Sequence, residues 1–365
     1  MRALASIAAI LLCACGSAGA ATAGSRSGAP ATSTSASAPR LQTPTPTSQA
    51  QSPTAIALLA VTDPGFSCHL PVDASLGEIP LKGGWLTVPR GSFQQDASSG
   101  LVNVTGQQWS FQTTSQPVLK GTDGLGYDAP RSRWVPAAPE VSSADGSMYA
   151  WTERDTTANR LHVTTVADGS DRSWSVKGPQ QGGPIPVPLA LTGGSVLLTY
   201  GWEGTYGVWR FDLSTGSLTE LSGEPAPRGY GAGAIWVGPL RGPTGVGAEQ
   251  SGDTLARLDL STGVVTDWFH RDATLVRYLG VDMGGSPWVG TATFTAAQAW
   301  SYGIWRVRGP GRADLVLAGQ QIDRITGDSH GTWFGNASGV YLFAGGNLER
   351  VSAGSVGEVI GPCIA

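Results

Sequence analysis

The sequence predicts an all-β fold of the β-propeller class, and three observations lead to that prediction. First, a unit made of a tight turn and an aromatic strand recurs roughly every 40 to 50 residues, a period typical of propeller blades. Second, the 52 glycines and 24 prolines supply the many turns that short strands require. Third, no segment beyond the N-terminal apolar run shows the sustained 3.6-residue periodicity of an amphipathic helix.

The repeated unit is clearest at residues 282–290 and 328–335, where a turn that begins with Asp leads into a strand that contains a tryptophan. Five copies align on Tyr149, Leu197, Trp236, Trp288 and Trp333. Because the tryptophans occupy one strand position, we expect them to be buried between neighbouring blades.

A second repeated motif predicts the outer hairpin of a four-stranded blade. Residues 211–216 and 258–263 have nearly identical chemistry, with Asp at the start of a turn and Gly near its end. The Asp side chain can accept backbone hydrogen bonds, and the Gly can adopt a positive φ.

The repeats predict six blades, with seven as the alternative. The five aligned copies begin near Arg133, and the chain ends shortly after Ile360, which lies where other blades have an inner strand. The aromatic strand that should follow such a strand is found at residues 83–88. We therefore expect N-terminal and C-terminal strands to close the ring jointly in one shared blade. Residues 107–128 fit no copy of the repeat.

The N-terminus predicts export and a lipid anchor. Met1 and Arg2 precede an apolar run at 3–12, the pattern of a signal peptide, and this run is too short for a permanent membrane span. Residues 12–15 resemble a bacterial lipobox, which implies removal of residues 1–14 and lipidation of Cys15. An ordinary secretory signal is the alternative. The resemblance places the protein in the cell envelope, lipid-anchored on the extracytoplasmic face of the membrane.

Composition then divides the rest of the chain into two parts. Residues 15–55 are rich in Ala, Ser, Thr and Pro and contain no aromatic or acidic residue, so we expect a disordered tether. Residues 56–365 form the predicted propeller domain. The short apolar run at 56–61 is more typical of a docking strand than of a helix.

The four cysteines predict one disulfide. Cleavage would remove Cys13 and lipidation would use Cys15, which leaves Cys68 and Cys363. A pair of thiols in an exported chain readily forms a disulfide. Two unpaired buried cysteines are the alternative.

Two motifs resemble known bacterial propeller repeats. Residues 282–290 are similar to the Asp-x-x-Gly-x-x-Trp-x-Gly repeat of sensor-type regulator propellers. Residues 143–147 resemble the Ser-Pro-Asp-Gly turn of Tol-system and WD-repeat-like propellers, with Ala144 in the proline position. The resemblance covers about residues 130–350 and implies a bacterial extracytoplasmic propeller lipoprotein. It implies no activity, because propellers host unrelated functions.

Charge and motifs favour a binding protein over an enzyme. The net charge of −4 gives no basic field for nucleic acid. The four histidines lack metal-ligand spacing, and we find no catalytic or cofactor-binding motif. We therefore predict a monomeric, non-catalytic module without cofactor or metal that binds an envelope protein, peptide or glycan. The alternative is a hydrolase or lyase acting on cell-envelope polysaccharide. The acidic residues nearest the predicted loop face are Glu140, Glu153, Asp155 and Glu203. Two or more carboxylates that converge at the mouth of the central channel would favour the enzyme.

The candidate binding residues lie in long, uneven insertions between the second and third strands of blades. These insertions are residues 154–159, 201–206, 239–253 and 291–302, all expected on one face of the ring. Ligand contacts are predicted for Trp202, Tyr206, Trp300, Tyr302, Glu203 and Arg154. The alternative is that the aromatic rings fold back over their own blades.

Overall fold

The computed structural model describes residues 59–365 with internal gaps, and every structural statement below concerns those residues. The gaps are residues 75–81, 106–107, 112–117, 123, 155–158, 177–184, 202–204, 224–225, 239–251, 296–298 and 355. The predicted signal peptide, the lipidated Cys15 and the tether lie outside the described residues. In the part that is described, no helix has the length and apolarity needed to span a bilayer.

The strands form seven propeller blades in the described part of the chain. Blade 1 contains β1 (Cys68–Asp73), β2 (Gly83–Val88) and β3 (Ser92–Gln95), and blade 2 contains β4 (Leu101–Thr105), β5 (Gln108–Phe111), β6 (Lys120–Gly121), β7 (Gly126–Asp128) and β8 (Arg133–Val135). Blade 3 contains β9 (Met148–Arg154), β10 (Asn159–Thr165) and β11 (Asp171–Val176), and blade 4 contains β12 (Ile185–Thr192), β13 (Ser195–Gly201), β14 (Thr205–Asp212) and β15 (Leu218–Ser222).

The remaining blades are regular. Blade 5 contains β16 (Ala226–Gly231), β17 (Ala234–Gly238), β18 (Thr254–Leu258) and β19 (Val265–His270), and blade 6 contains β20 (Leu275–Val281), β21 (Pro287–Phe294), β22 (Trp300–Gly309) and β23 (Arg312–Ala318). Blade 7 contains β24 (Thr326–Asp328), β25 (Gly331–Asn336), β26 (Gly339–Ala344) and β27 (Asn347–Ala353), and β28 (Glu358–Val359) returns to blade 1. Short 3-10 helices occur at Ala97–Ser99, Ala129–Arg131 and Pro139–Val141.

The prediction of six blades is therefore wrong, and the alternative of seven is correct. The additional blade is blade 2, which includes the stretch that fits no repeat. It consists of a three-stranded sheet and a separate two-stranded hairpin, β7–β8. Its strands have only two to five residues. These strands are short and split between two sheets, so they do not produce the four-strand repeat seen in blades 4 to 7.

Strands from both ends of the domain close the ring, as predicted. β28 pairs with β1 through Val72 opposite Val359, and it forms the first strand of blade 1. Residues 83–88, the predicted neighbour of this last strand, form β2, which pairs with the far side of β1 and does not contact β28 as a neighbouring strand. Cys68 and Cys363 form a disulfide across the closure, with Cα atoms 5.6 Å apart. The predicted disulfide is thus present.

The turns explain why Asp and Trp recur together. Asp282 Oδ1 accepts hydrogen bonds from the backbone N–H groups of Gly284 and Ser286, both at 2.9 Å, and Oδ2 accepts one from the indole of Trp288 at 3.3 Å. Trp288 and Trp333 have no exposed surface, and Trp236 is 1% exposed. The motif therefore fixes a turn and a buried ring together, which confirms that these tryptophans are core residues.

Contacts between first strands fix the order of the blades around the axis. The backbone N–H of Ile325 in blade 7 donates to Leu279 of blade 6 at 2.9 Å. The Thr326 hydroxyl donates to the carbonyl oxygen of Val359 in blade 1 at 3.1 Å. At the outer edge of blade 7, Val61 forms a parallel bridge with Arg350 of β27. This contact covers a strand edge with the end of the predicted docking segment.

Candidate functional site

The predicted insertions open on one face of the ring, which we call the loop face. In blades 4 to 7 the strands follow one another in chain order across each antiparallel sheet. The loops between second and third strands therefore lie on the same side as the connections between blades. The predicted insertions 154–159, 201–206 and 239–253 include the residues that connect β9 to β10, β13 to β14 and β17 to β18. The fourth insertion was predicted too long, because most of residues 291–302 belong to β21 and β22, which only residues 295–299 separate.

Two of the six predicted ligand contacts are described at side-chain level. Trp202 and Glu203 lie outside the described residues, and Arg154 and Tyr206 are placed only as backbone in β9 and β14. Trp300 lies at the start of β22, and Tyr302 lies two residues later on the same side of that strand.

Trp300 belongs to an exposed aromatic pair at the tip of the β21–β22 hairpin. It is directly opposite Phe294 in the strand register, and the two ring centroids are 5.2 Å apart at an interplanar angle of 62°. Trp300 is 41% exposed and Phe294 is 51% exposed. The sequence analysis missed Phe294, although its position just before the loop made it the cross-strand partner of Trp300. The pair presents ring surface to solvent on the loop face.

A second group of side chains, the channel-mouth cluster, is formed by Glu140, Asp323, Arg324 and Glu358. Arg324 Nε lies 3.6 Å from Glu140 Oε1 and 3.5 Å from Glu358 Oε2. Glu140 lies in the helix Pro139–Val141 that precedes blade 3, Arg324 precedes β24 of blade 7, and Glu358 begins β28 in blade 1. Side chains from these separated blades can meet only close to the axis of the ring. Arg277 of β20 extends the cluster through an ion pair with Asp323.

The cluster perturbs the titration of one carboxyl group. Burial raises the pKa of Glu358 to about 7, an effect that Arg324 opposes and that the carboxylates of Asp323 and Asp73 reinforce. A carboxyl group with such a pKa can exchange a proton near neutral pH, as a general acid or base must. Of this cluster, the sequence analysis named only Glu140. Glu153 is not among its members and lies against His162 instead, whereas Asp155 and Glu203 lie outside the described residues.

A hydroxyl–imidazole–carboxylate line occurs in blade 5 but does not provide a free nucleophile. Thr254 Oγ1 lies 2.9 Å from His270 Nδ1, and His270 Nε2 lies 2.9 Å from Asp272 Oδ1. The threonine is 7% exposed, and its hydroxyl donates to Asp253 at 2.9 Å. Its proton is thus already held by a carboxylate. Among the residues that the structure describes, no group of three or more His, Cys, Asp or Glu side chains could hold a metal ion.

Comparison with known proteins assigns no family. No protein-family model and no curated protein matches the chain. Among solved structures, it is similar to a protein from Lactobacillus plantarum (12% identity, TM-score 0.48, covering 81% of this chain and 98% of that chain). It is also similar to a candidate 6-phosphogluconolactonase from Bacteroides fragilis (9% identity, TM-score 0.44, covering 84% and 100%). A third likeness is to the extracellular domain of a candidate one-component system from B. thetaiotaomicron (13% identity, TM-score 0.29, covering 76% and 46%).

The second and third neighbours differ in their stated roles, and the low identities and TM-scores of all three support no inference about activity. The assignment of the propeller fold therefore rests on the order of the strands in this chain's own sheets.

Proposed function

We propose that the protein is a lipid-anchored, extracytoplasmic β-propeller that binds an envelope protein, peptide or glycan through its loop face. The carrying observation is the solvent-exposed pair of Phe294 and Trp300 at the tip of a hairpin. Aromatic rings exposed in this way can stack on a sugar ring or anchor a peptide side chain. Export is supported by the Cys68–Cys363 disulfide, since disulfides persist in oxidising compartments.

The location of the pair supports binding better than a packing role. Phe294 and Trp300 contact each other across the hairpin, whereas the repeat tryptophans are fully enclosed between blades. The rigid blade holds the pair, so little conformational entropy is lost when a ligand covers it. Truncation of either ring should therefore affect binding more than folding.

The test compares Trp300→Ala and Phe294→Ala with Phe93→Ala. Phe93 is 39% exposed but lies in β3, the outermost strand of blade 1. Each protein would be screened against defined oligosaccharides and immobilised peptides, with thermal unfolding measured in parallel. We expect both loop-face variants to lose at least about tenfold in affinity for the ligand that the unmodified protein binds. Unchanged binding by both variants, or equal loss in Phe93→Ala, would contradict the proposal.

A second candidate function, a polysaccharide hydrolase or lyase, is favoured by one observation. Glu140 and Glu358 converge on Arg324 near the axis, and the Glu358 pKa of about 7 suits acid–base chemistry. The ion pairs to Arg324 weigh against it, because such networks also shift pKa values in structural sites. Envelope polysaccharides would be assayed for new reducing ends and for unsaturated products. Activity that disappears in Glu358→Gln and Glu140→Gln would establish this candidate over pure binding.

A further inference from the structure

Arg228 occupies a position that blades 4 and 6 fill with leucine. It is the bulged residue of β16, located where the pairing register shifts between Pro227 and Gly229. The same bulge in blade 6 lies between Tyr278 and Gly280 and contains Leu279, which is 3% exposed. In blade 4 the corresponding residue is Leu189, which is partly buried against the core. An arginine has therefore replaced leucine in an otherwise repeated core position.

The two side chains also lie over equivalent glycines of the neighbouring strand. A Cβ atom on Gly290 would lie 3.3 Å from Leu279 Cδ2. A Cβ atom on Gly238 would lie 2.5 Å from Arg228 Nε and 2.7 Å from its Nη2 atom. Because a real Cβ could not approach so closely, a larger residue at position 238 would displace the guanidinium. The Arg228 head group thus packs directly over Gly238 at the end of β17.

The Arg228 guanidinium has no compensating partner among the described residues. Its Nε–H group is buried and donates no hydrogen bond, and no described carboxylate forms an ion pair with it. Burial lowers the pKa of the group, and no acidic neighbour among the described residues opposes that shift. Five other arginines have a carboxylate partner. Arginines 131, 277, 306, 308 and 324 each lie within ion-pair reach of an Asp or Glu.

We propose that Arg228 binds the carboxylate or phosphate group of a ligand at the loop face. A partly buried cation without a counter-charge is costly, and a bound anion would remove that cost. The planar guanidinium offers paired N–H donors that match carboxylate and phosphate oxygens. Arg228 lies near the start of the first strand of its blade, and Gly238 is the last residue of the second strand. Both positions are at the loop-face end of blade 5.

The proposal goes beyond the binding surface at Phe294 and Trp300, because it rests on different residues and specifies the charge of a ligand group. It holds whether or not the aromatic pair binds a ligand. The two can therefore fail separately.

The test measures anion-dependent thermal unfolding of the folded domain. Unmodified protein would be titrated with sodium phosphate and, separately, with sodium acetate, each against sodium chloride at matched ionic strength. A ligand that binds only the native state raises the melting temperature. We expect phosphate or acetate to raise it by a few degrees more than chloride, and the stronger of the two identifies the preferred group. No anion-specific rise in the unmodified protein would overturn the proposal.

Variants connect the effect to the side chain. Arg228→Leu installs the residue found at the equivalent position of blade 6, so it should raise the melting temperature without anion and abolish the anion response. Arg228→Lys should retain a weakened response, since an ammonium keeps the charge but loses the planar geometry. Arg277→Leu is the control and should respond like the unmodified protein, because Arg277 is already paired with Asp323.

Two results would overturn the assignment even if the unmodified protein responds to anions. One is an undiminished response in Arg228→Leu, which would locate the anion elsewhere. The other is a response that appears or grows several-fold in Glu249→Gln, a residue of the insertion that follows Gly238 and lies outside the described residues. That result would show that the chain itself supplies the partner of Arg228.

Discussion

Replacing Glu358 with glutamine should remove a pH-dependent part of the stability. The carboxyl group begins the closing strand β28 and is surrounded by Arg324, Asp323, Asp73 and, through Arg324, Glu140. Its pKa rises from an ordinary 4.5 to about 7, chiefly through burial. The native state thus holds this proton more tightly than the unfolded chain does. The resulting stabilisation is complete below pH 4.5 and is lost as the pH rises through about 7.

The magnitude follows from the shift and from solvent access. One pKa unit corresponds to about 1.4 kcal/mol, so the change from 4.5 to about 7 is ~3–4 kcal/mol before screening. The Glu358 side chain is 34% exposed, and solvent screening at that exposure reduces the expected effect to ~1–2 kcal/mol.

Urea unfolding followed by tryptophan fluorescence would measure this effect between pH 4.5 and 8. The free energy of unfolding of the unmodified protein should fall relative to that of Glu358→Gln by ~1–2 kcal/mol across this range. Contributions from the histidines are common to both proteins and cancel in the difference. Glu220→Gln, at an exposed position in β15, is the control and should follow the unmodified protein. Parallel pH profiles for Glu358→Gln and the unmodified protein would refute the reasoning.

Three further predictions concern the closure, the anchor and the turns. Cys68→Ser or Cys363→Ser should lower the free energy of unfolding by at most about 5–6 kcal/mol, because the disulfide spans 295 residues, and an unchanged denaturation midpoint would contradict it. Cys15→Ser should release the protein from membranes or leave an unprocessed precursor, and a processed form that still sediments with membranes would exclude the lipid anchor. Asp282→Ala should destabilise the domain by ~2–4 kcal/mol, because this buried carboxylate accepts two backbone hydrogen bonds and pairs with Arg306. In the same denaturation series, Asp314→Ala, which removes an exposed ion pair with Arg308, should cost less than ~1 kcal/mol.

The sequence predicts those parts of the fold where one local motif satisfies several physical requirements at once. Asp282 closes a turn, receives the Trp288 indole and pairs with Arg306, so the motif is tightly constrained. Asp212 and Asp259 each accept two backbone hydrogen bonds at the outer hairpins, which makes those turns equally recognisable. Blade 2 could not be predicted because its side chains contact other segments of the chain and do not form one local motif. Its Trp134 donates to Asp96, which follows the last strand of blade 1, rather than to an Asp in a turn of its own.

The channel-mouth cluster could not be predicted for a different reason. Glu140, Arg324 and Glu358 are distant in sequence, and each lies in a short connection or strand with no motif. Their convergence depends on the number of blades and on the identity of the closing strand, both of which were uncertain from sequence. Only the place of each residue in the strand order indicates the cluster, since each residue lies at or just before the first strand of a blade. With seven blades correctly aligned, those positions would have been recognisable as lining the mouth of the channel.

Because the blades repeat, comparing equivalent positions in different blades can locate functional residues in this chain. Blades 4 to 7, which share one four-stranded order, set an expectation for each register position, and a departure from it needs a local cause. The hairpin tip of blade 6 departs by exposing Phe294 and Trp300. Blade 5 departs by placing Arg228 where blade 6 has Leu279, with no hydrogen-bond partner for its Nε–H among the described residues. The first departure exposes apolar surface and the second buries charge, so each is unfavourable unless a ligand covers it. Both lie on the loop face, which is where a rigid ring can vary its loops without losing its core.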